Sequence, residues 1–270
     1  MLVLTVIGLR FLTQIINKYI LPNELSIHFF VNGFSFCTNT QIDFTPINDG
    51  IEDLKVSLKK KIEFFQKDDF EIFSVVFFQR PSTFVPQKFF DSKKSKIFLS
   101  LYNKTPKEDI VAYDILESQQ QVNVYSFEKE IKIILDETKI QFNFTHYNTI
   151  LQKKILSICS VIEFKYQLFI HIQYKAVDVF LAKTDQIVFN NRFSIKNEDE
   201  FLYYIFFVVE QFDLKFDDFE IIFLGKFFEY NKYYDLMSQF HKNYKFIEND
   251  SDIIKDQSKH SAPYLANYSG

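Results

Sequence analysis

Asp68-Asp69-Phe70-Glu71-Ile72 recurs as Asp217-Asp218-Phe219-Glu220-Ile221. Each copy follows apolar residues at helical spacing, and each opens an apolar run of strand character. A repeated pentapeptide alone carries little weight in a chain with 35 Phe. Its return in the same local context predicts two duplicated half-domains. The acidic pairs fall at a helix-to-strand junction, so they read as solvated turn residues and not as a paired catalytic site.

Working outward from the first copy, Leu25 to Phe30 and Phe34 to Thr38 are β-rich apolar runs separated by Asn32-Gly33. That dipeptide predicts a type I′ hairpin, because both central positions of such a turn need φ > 0. Gln41 to Ile47 adds a third strand, and Asp49-Gly50 breaks the chain. Ile51, Leu54, Leu58, Ile62 and Phe65 then recur at helical spacing. Phe70 to Phe78 is almost wholly apolar, as expected of a strand buried on both faces.

The second half replays this order. Leu168 to Ile172, Val177 to Ala182 and Ile187 to Phe193 read as strands, with Lys183 to Gln186 turning between the last two. Asn197 with Glu200 forms a capping-box pattern, and a helix to about Phe212 buries Phe201, Tyr204, Ile205, Val208 and Phe212. Phe219 to Leu224 is the next strand, ended by Gly225. A helix over Asn231 to Phe240 and a strand near Tyr244 to Ile247 follow. Ile27-His28 aligns with Ile170-His171. Three meandering strands, a helix and a parallel strand make a ribonuclease-H-like unit, and two in tandem predict an actin-like α/β architecture with mixed sheets. The lobes are expected at 22–145 and 146–270.

The middle is less regular. Pro86 starts a short helix carrying Phe89 and Phe90; Asp109 to Leu116, Gln121 to Phe127 and Ile140 to Phe144 read as strands; Glu128 to Glu137 and His146 to Ile158 read as helices. The tail is polar after Asp250 and then reads Ala262-Pro263-Tyr264-Leu265. Residues 1–21 stand apart. Leu4, Ile7, Phe11, Ile15 and Tyr19 would line one helical face, or the stretch is a non-native extension from an upstream start codon. Met1 to Leu9 is too short to span a bilayer and lacks a basic n-region and a cleavage site. Membrane contact is therefore expected only through the first 20 residues, if at all.

The net charge is −4 and the arginines are Arg10, Arg80 and Arg192. Nucleic-acid binders show a basic surplus and Arg forks for phosphate, so no direct nucleic-acid contact is expected. The lysines at 59–61 and at 93, 94 and 96 read as solvated faces. Cys37 and Cys159 have no CxxC partner and read as reduced core residues of a cytoplasmic protein.

Leu25-Ser26-Ile27 before Asn32-Gly33-Phe34-Ser35-Phe36, Thr83-Phe84-Val85-Pro86 before Phe89-Phe90, Ala112-Tyr113-Asp114, Asn123-Val124-Tyr125, His146 with Thr149, and Leu224-Gly225 together resemble the bacterial domain-of-unknown-function family 3822. The resemblance runs from about Leu25 to Ile247. It implies an actin-like ATPase fold and no established activity. It leaves Met1 to roughly Leu21 outside, which favours the start-codon reading.

An actin-like ATPase grips phosphate with two strand-turn-strand loops, usually Gly-rich and led by Asp, so that backbone amides reach the phosphate and the carboxylate handles Mg²⁺. The corresponding turns here are Phe30-Val31-Asn32-Gly33 and Gln173-Tyr174-Lys175-Ala176. The first has one Gly and no Asp; the second has neither. With 5 glycines in the chain, neither a P-loop nor GxGxxG exists. If a nucleotide bound, Asn32, Gly33, Lys175, Gly225 and Lys226 would meet it, although Lys175 and Lys226 read more simply as solvated turn lysines. A two-metal nuclease needs a first-strand carboxylate. His28 and His171 stand there instead, and Asp178 has no partner at a useful spacing. His28 and His171 could be ligands or bases, but read more simply as core histidines. His146 near Thr149 reads as a helix-start residue, and HExxH and GxSxG are absent. The chain therefore reads as a non-catalytic actin-like protein, without cofactor or metal, acting through an unidentified protein partner or self-association. The alternative is a degenerate nucleotide-binding switch whose two halves close on a ligand. An accessory factor bound to a nucleic-acid enzyme is a third reading.

Overall fold

A computed structural model describes residues 23–38, 41–47, 50–65, 70–78, 80, 82–101, 105–159, 164–248 and 260–266. The first lobe opens with β1 (Glu24–Phe30), β2 (Gly33–Cys37), β3 (Ile42–Pro46), α1 (Ile51–Phe65) and β4 (Ile72–Phe77). Next come β5 (Ser82–Pro86), α2 (Ser95–Ser100), β6 (Ile110–Leu116), β7 (Gln121–Phe127), α3 (Lys129–Glu137), β8 (Asn143–His146) and α4 (Tyr147–Ile158). The second lobe holds β9 (Tyr166–Gln173), β10 (Ala176–Lys183), β11 (Gln186–Ser194), α5 (Glu198–Gln211), β12 (Phe219–Leu224), α6 (Asn231–Phe240) and β13 (Tyr244–Ile247).

The duplication is written in the sheets. One has strand order β3-β2-β1-β4-β8 and the other β11-β10-β9-β12-β13. In both, the first three strands pair antiparallel and the next two add parallel. The second acidic pair lies in the turn entering β12, with Asp217 exposed. The first pair, residues 1–21 and the polar tail before His260 lie outside the described residues. Among the described residues no helix is long and apolar enough to cross a membrane.

Pleat alternation sends successive residues of each central strand to opposite faces. Leu25, Ile27 and Phe29 of β1 join one core with Leu54, Leu58, Ile62 and Phe65 of α1 and Ile131, Ile134 and Leu135 of α3. Leu168, Ile170 and Ile172 of β9 do the same with Phe201, Ile205 and Val208 of α5 and Met237 of α6. The intervening residues face inward between the sheets. There Phe30, Val76 and Phe78 meet Phe169, Phe180, Ile222 and Leu224, with Tyr147, Leu151 and Ile155 of α4 and the late residues Ala262, Tyr264 and Leu265. A continuous apolar strand such as β4 follows from this: Val75 and Phe77 serve the first core, Val76 and Phe78 the shared one.

Several local expectations need correction. The β1–β2 turn is not type I′. Phe30 pairs with Gly33, so the loop is Val31-Asn32, and neither residue has positive φ. Gly33 is required for a different reason: at φ +154° its missing Cβ makes room for the Thr45 carbonyl oxygen of the neighbouring strand. The strand expected at Ile140 to Phe144 lies at Asn143–His146, where Ser74 to Phe77 of β4 supply its partners. β5 and α2 were not foreseen. With β6 and β7, β5 forms a separate three-stranded sheet in the order β5-β7-β6 over its own small core of Val85, Leu99, Val122 and Val124. The capping box is half formed. Asn197 accepts the Glu200 N–H, but the Glu200 carboxylate accepts from Lys196 N, one residue further back.

Phe77 stacks on Phe127 at 4.2 Å and 10° and lies parallel to Phe144 at 6.1 Å. Phe77→Ala should destabilise the chain by about 3–5 kcal/mol, read as a lower urea midpoint with unchanged slope.

Candidate functional site

The two turns that would face a phosphate are bridged by the chain's own late residues. Tyr174 N donates to the Ser261 carbonyl at 2.8 Å, and Ser261 Oγ donates to Asn32 Oδ1 at 3.2 Å. The remaining cavity holds about 30 Å³ and is walled by Phe30, Asn32, Phe78, Gln173, Tyr174, Arg192 and Ser261. That volume admits a water molecule or two and no nucleotide. Behind Ser261, Ala262, Tyr264 and Leu265 are each fully buried, and Pro263–Leu265 form a 3-10 turn.

Of the residues expected at a nucleotide, Asn32 sits opposite the Tyr174-Lys175 turn, across Ser261. Lys175 itself is exposed, at φ +54°, with its ammonium 5.2 Å from the Tyr174 ring centroid. Lys226 is also exposed, over the Phe246 ring at 5.2 Å. Gly225, at φ +85°, leaves room for the Phe227 ring and donates its N–H to Ile247 O. Gly33 is buried under Thr45, as described. Gly33, Lys175, Gly225 and Lys226 do not line the cavity.

A buried polar network beneath the cavity was missed by the sequence. Asp178, expected to lack partners for a metal pair, is held by hydrogen bonds instead, and the candidate metal group among the described residues does not include it. His171 Nδ1–H donates to its Oδ2 at 2.9 Å, Tyr147 O–H to its Oδ1 at 2.8 Å, and Gln173 Nε2–H to Oδ2. The signal was available in principle: β9 and β10 pair antiparallel with His171 opposite Asp178. Burial pushes the Asp178 pKa up, but the His171 hydrogen bond and the Arg192 charge more than offset it, and the carboxyl stays below the usual range. Arg192 reaches across from β11 to donate to Phe78 O at 3.1 Å and to Tyr147 Oη at 3.2 Å. It therefore clasps the second lobe to the end of β4 and the start of α4.

His28 and His171, at matching strand positions, are both fully buried and face the shared core. His28 Nδ1, Cys37 Sγ and His260 Nε2 lie within 4.8 Å of one another, the only His/Cys/Asp/Glu trio among the described residues placed to hold a metal ion. Hydrogen-bond directions argue against a metal. Ala262 N donates to His260 Nδ1 at 3.1 Å, so the ring proton is on Nε2, which donates to His28 Nδ1 at 3.2 Å. His28 Nε2–H then donates to Ser26 Oγ at 2.9 Å. A neutral imidazole has one lone-pair nitrogen, and that of His260 is already used. Burial also pushes the Cys37 thiol up, against the thiolate a metal needs.

Several residues that carried the family resemblance converge elsewhere. Asp114 Oδ2 accepts from Thr145 Oγ1, His146 N and Thr149 Oγ1 at 2.8, 2.9 and 2.6 Å, and Asn123 Nδ2 donates to Thr149 Oγ1 at 2.9 Å. His146 caps α4, its Nδ1 accepting Asn148 N–H while Nε2–H donates to Arg80 O. Both ring nitrogens are spent, and burial pulls its pKa down to about 4. His146 is thus a helix-start residue, neutral near pH 7 with both ring nitrogens engaged.

The family described as "Protein of unknown function (DUF3822)" matches over residues 14–244, and the chain belongs to it. The match begins inside the stretch expected to lie outside the family. Comparison with curated proteins gives no match. Among solved structures, a Bacteroides thetaiotaomicron protein with actin-like ATPase fold and unknown function is similar, with TM-score 0.71, 17% identity and 92% of this chain against 96% of that one. A PilM-PilN type IV pilus biogenesis complex is similar with TM-score 0.59 and 10% identity, covering 91% of this chain and 96% of that one. The fold is that of actin-like ATPases, in two ribonuclease-H-like halves with mixed sheets.

Asp178→Ala leaves the buried His171 and Arg192 without their acceptor or counter-charge and should cost about 3–5 kcal/mol. Asp178→Asn, which keeps an acceptor, should cost less. With its native pKa depressed, Asp178 contributes stability above about pH 4 that is lost as pH falls through its native value, so the Asp178→Ala penalty should shrink in acid. Denaturant midpoints of the three chains at several pH values read both effects.

Proposed function

We propose that this member of the family is a non-catalytic actin-like protein that acts by binding another protein or by self-association. The observation that carries the reading is the bridge from Tyr174 N through Ser261 to Asn32. A phosphate-gripping hairpin offers unpaired main-chain N–H groups to an anion. Here the Tyr174 N–H is already given to a carbonyl, and the cavity left is far smaller than a nucleotide. Neither turn carries an Asp for Mg²⁺. The arginines within the described residues are also engaged: Arg80 pairs with Asp109 and Glu128, and Arg192 holds the lobes together. This supports the absence of direct nucleic-acid contact. A similar fold occurs in the PilM-PilN type IV pilus biogenesis complex, which is consistent with a binding role.

The alternative, a degenerate nucleotide switch, requires the late residues to leave when ligand arrives. It draws on the placement of Asn32 opposite the Tyr174-Lys175 turn.

Mg-ATP and Mg-ADP should leave the thermal midpoint unchanged. Ligand at a hundred times its dissociation constant would add about 2.7 kcal/mol, a readily measured shift. Pull-down from native lysate should recover a stoichiometric partner with or without nucleotide; if it recovers none, light scattering should show an oligomer. A Mg-ATP shift abolished by Lys175→Ala, or a chain that is monomeric and partnerless, overturns the proposal.

A further inference from the structure

Residues 260–266 fill the space between the lobes, yet they join β13 only through residues 249–259, a mostly polar stretch, Asn249-Asp250-Ser251-Asp252-Ile253-Ile254-Lys255-Asp256-Gln257-Ser258-Lys259. Among the described residues their polar anchors at the cleft include Tyr174 N to Ser261 O, Ser261 Oγ to Asn32, and His260 to His28, beside the apolar packing of Ala262, Tyr264 and Leu265. The His260 ring stands edge-on to Phe30 at 4.9 Å and to His28 at 5.4 Å.

The His260 anchor works in one protonation state. Its Nδ1 must stay bare to accept the Ala262 N–H. A second proton would place an N–H against that N–H and leave a cation in an aromatic pocket. The titratable groups near it are His28 of β1, Cys37 of β2 beside His28, and His171 of β9, which packs in turn against Tyr264. Among the described residues none of its hydrogen bonds is to a carboxylate. Asp178 of β10 is saturated by Tyr147, His171 and Gln173, and Arg192 of β11 adds positive charge at the cavity wall.

We propose that residues 260–266 are a releasable latch over the inter-lobe cleft, docked while His260 is neutral and freed when it takes a proton, and that release bares Asn32, the Tyr174 N–H and the apolar walls of Phe30 and Phe78. This regulation rests on the reading of the chain as non-catalytic, with its late residues in the cleft where a nucleotide would sit. Burial first, then the neighbouring His28, holds the His260 pKa well below the ordinary histidine value while docked. The released segment therefore binds more protons than the docked one. Docking is at full strength above about pH 6.5 and weakens as pH falls below it, by up to about tenfold per unit until the docked pKa is reached.

Hydrogen exchange of the full chain, read by mass spectrometry and corrected for intrinsic rates, tests this. From about pH 7.5 to about pH 5.5, protection of the amides after His260 should fall about tenfold, while β1 and β9 keep theirs. His260→Gln retains an acceptor for Ala262 N–H and a donor for His28 without the ionisation, and should hold its protection at both pH values. Equal protection of the wild-type segment at both pH values, or the same loss in His260→Gln, overturns the latch. If His260→Gln is unprotected even at the higher pH, NMR titration of wild-type His260 decides. Ring protonation coincident with loss of segment protection supports the latch; protonation with the segment still protected overturns it. Release of the segment by Mg-ATP at the higher pH would instead overturn the non-catalytic reading and leave the acid result standing.

Discussion

The pleat of two strands governs this molecule. β1 and β9 are each buried on both faces, so every second residue belongs to a lobe core and every other to the space between the lobes. A one-residue slip in either strand would exchange Ile27 for His28, or Ile170 for His171, and send histidine into a core of phenylalanine and leucine. The parallel pairings of Ile27 with Val75 and of Ile170 with Phe223 each set one core-facing residue beside another, although by the repeated pentapeptide Val75 corresponds to Leu224, so the two registers differ by one residue. The inward-facing polar residues then have no access to water and must find partners in one another. That need generates the His28 relay, the Asp178 network and the Arg192 clasp.

Much of this was legible in residue order. Apolar runs of strand length, an α1 stripe from Leu54 to Phe65 and the matching stripe in α5 gave both lobes, because periodicity reports directly on burial. What periodicity cannot report is a contact between distant segments. β5 and α2 are short, and their small core is assembled from residues as far apart as Val85 and Val124. Asn32-Gly33 misled on turn type, because Gly33 is demanded by the Thr45 carbonyl on a neighbouring strand and not by the turn. Asp178 was read only for metal-holding partners, and its hydrogen-bond partner is not visible when spacing is counted along the chain. It lies directly opposite His171 once β9 and β10 pair.

The late residues were the least legible part of the candidate site. Ala262-Pro263-Tyr264-Leu265 is too short to show a period and follows a polar stretch, the pattern of an unstructured tail. Its burial comes from shape. Two sheets whose inner faces carry Phe30, Phe78, Phe169 and Phe180 leave a gap, and a Pro-fixed turn with one Tyr and one Leu fills it. Filling that gap brings the space between the sheets to the density of a close-packed interior.

The fold is two-fold symmetric in its sheets, but its cleft is not. Ser261 meets the second lobe through a main-chain N–H and the first through a side chain, Asn32. A phosphate bound on such a pseudo-axis would draw equivalent amides from both turns. One peptide segment cannot do so, because its donors and acceptors differ along its length, and the two turns that meet it differ: a compact Asn beside a strand-buried Gly on one side, an exposed Tyr174-Lys175 on the other. The missing phosphate residues and the buried late segment are therefore one structural fact. The turns meet a peptide, which takes the Tyr174 N–H on a carbonyl and offers the Asn32 side chain a hydroxyl.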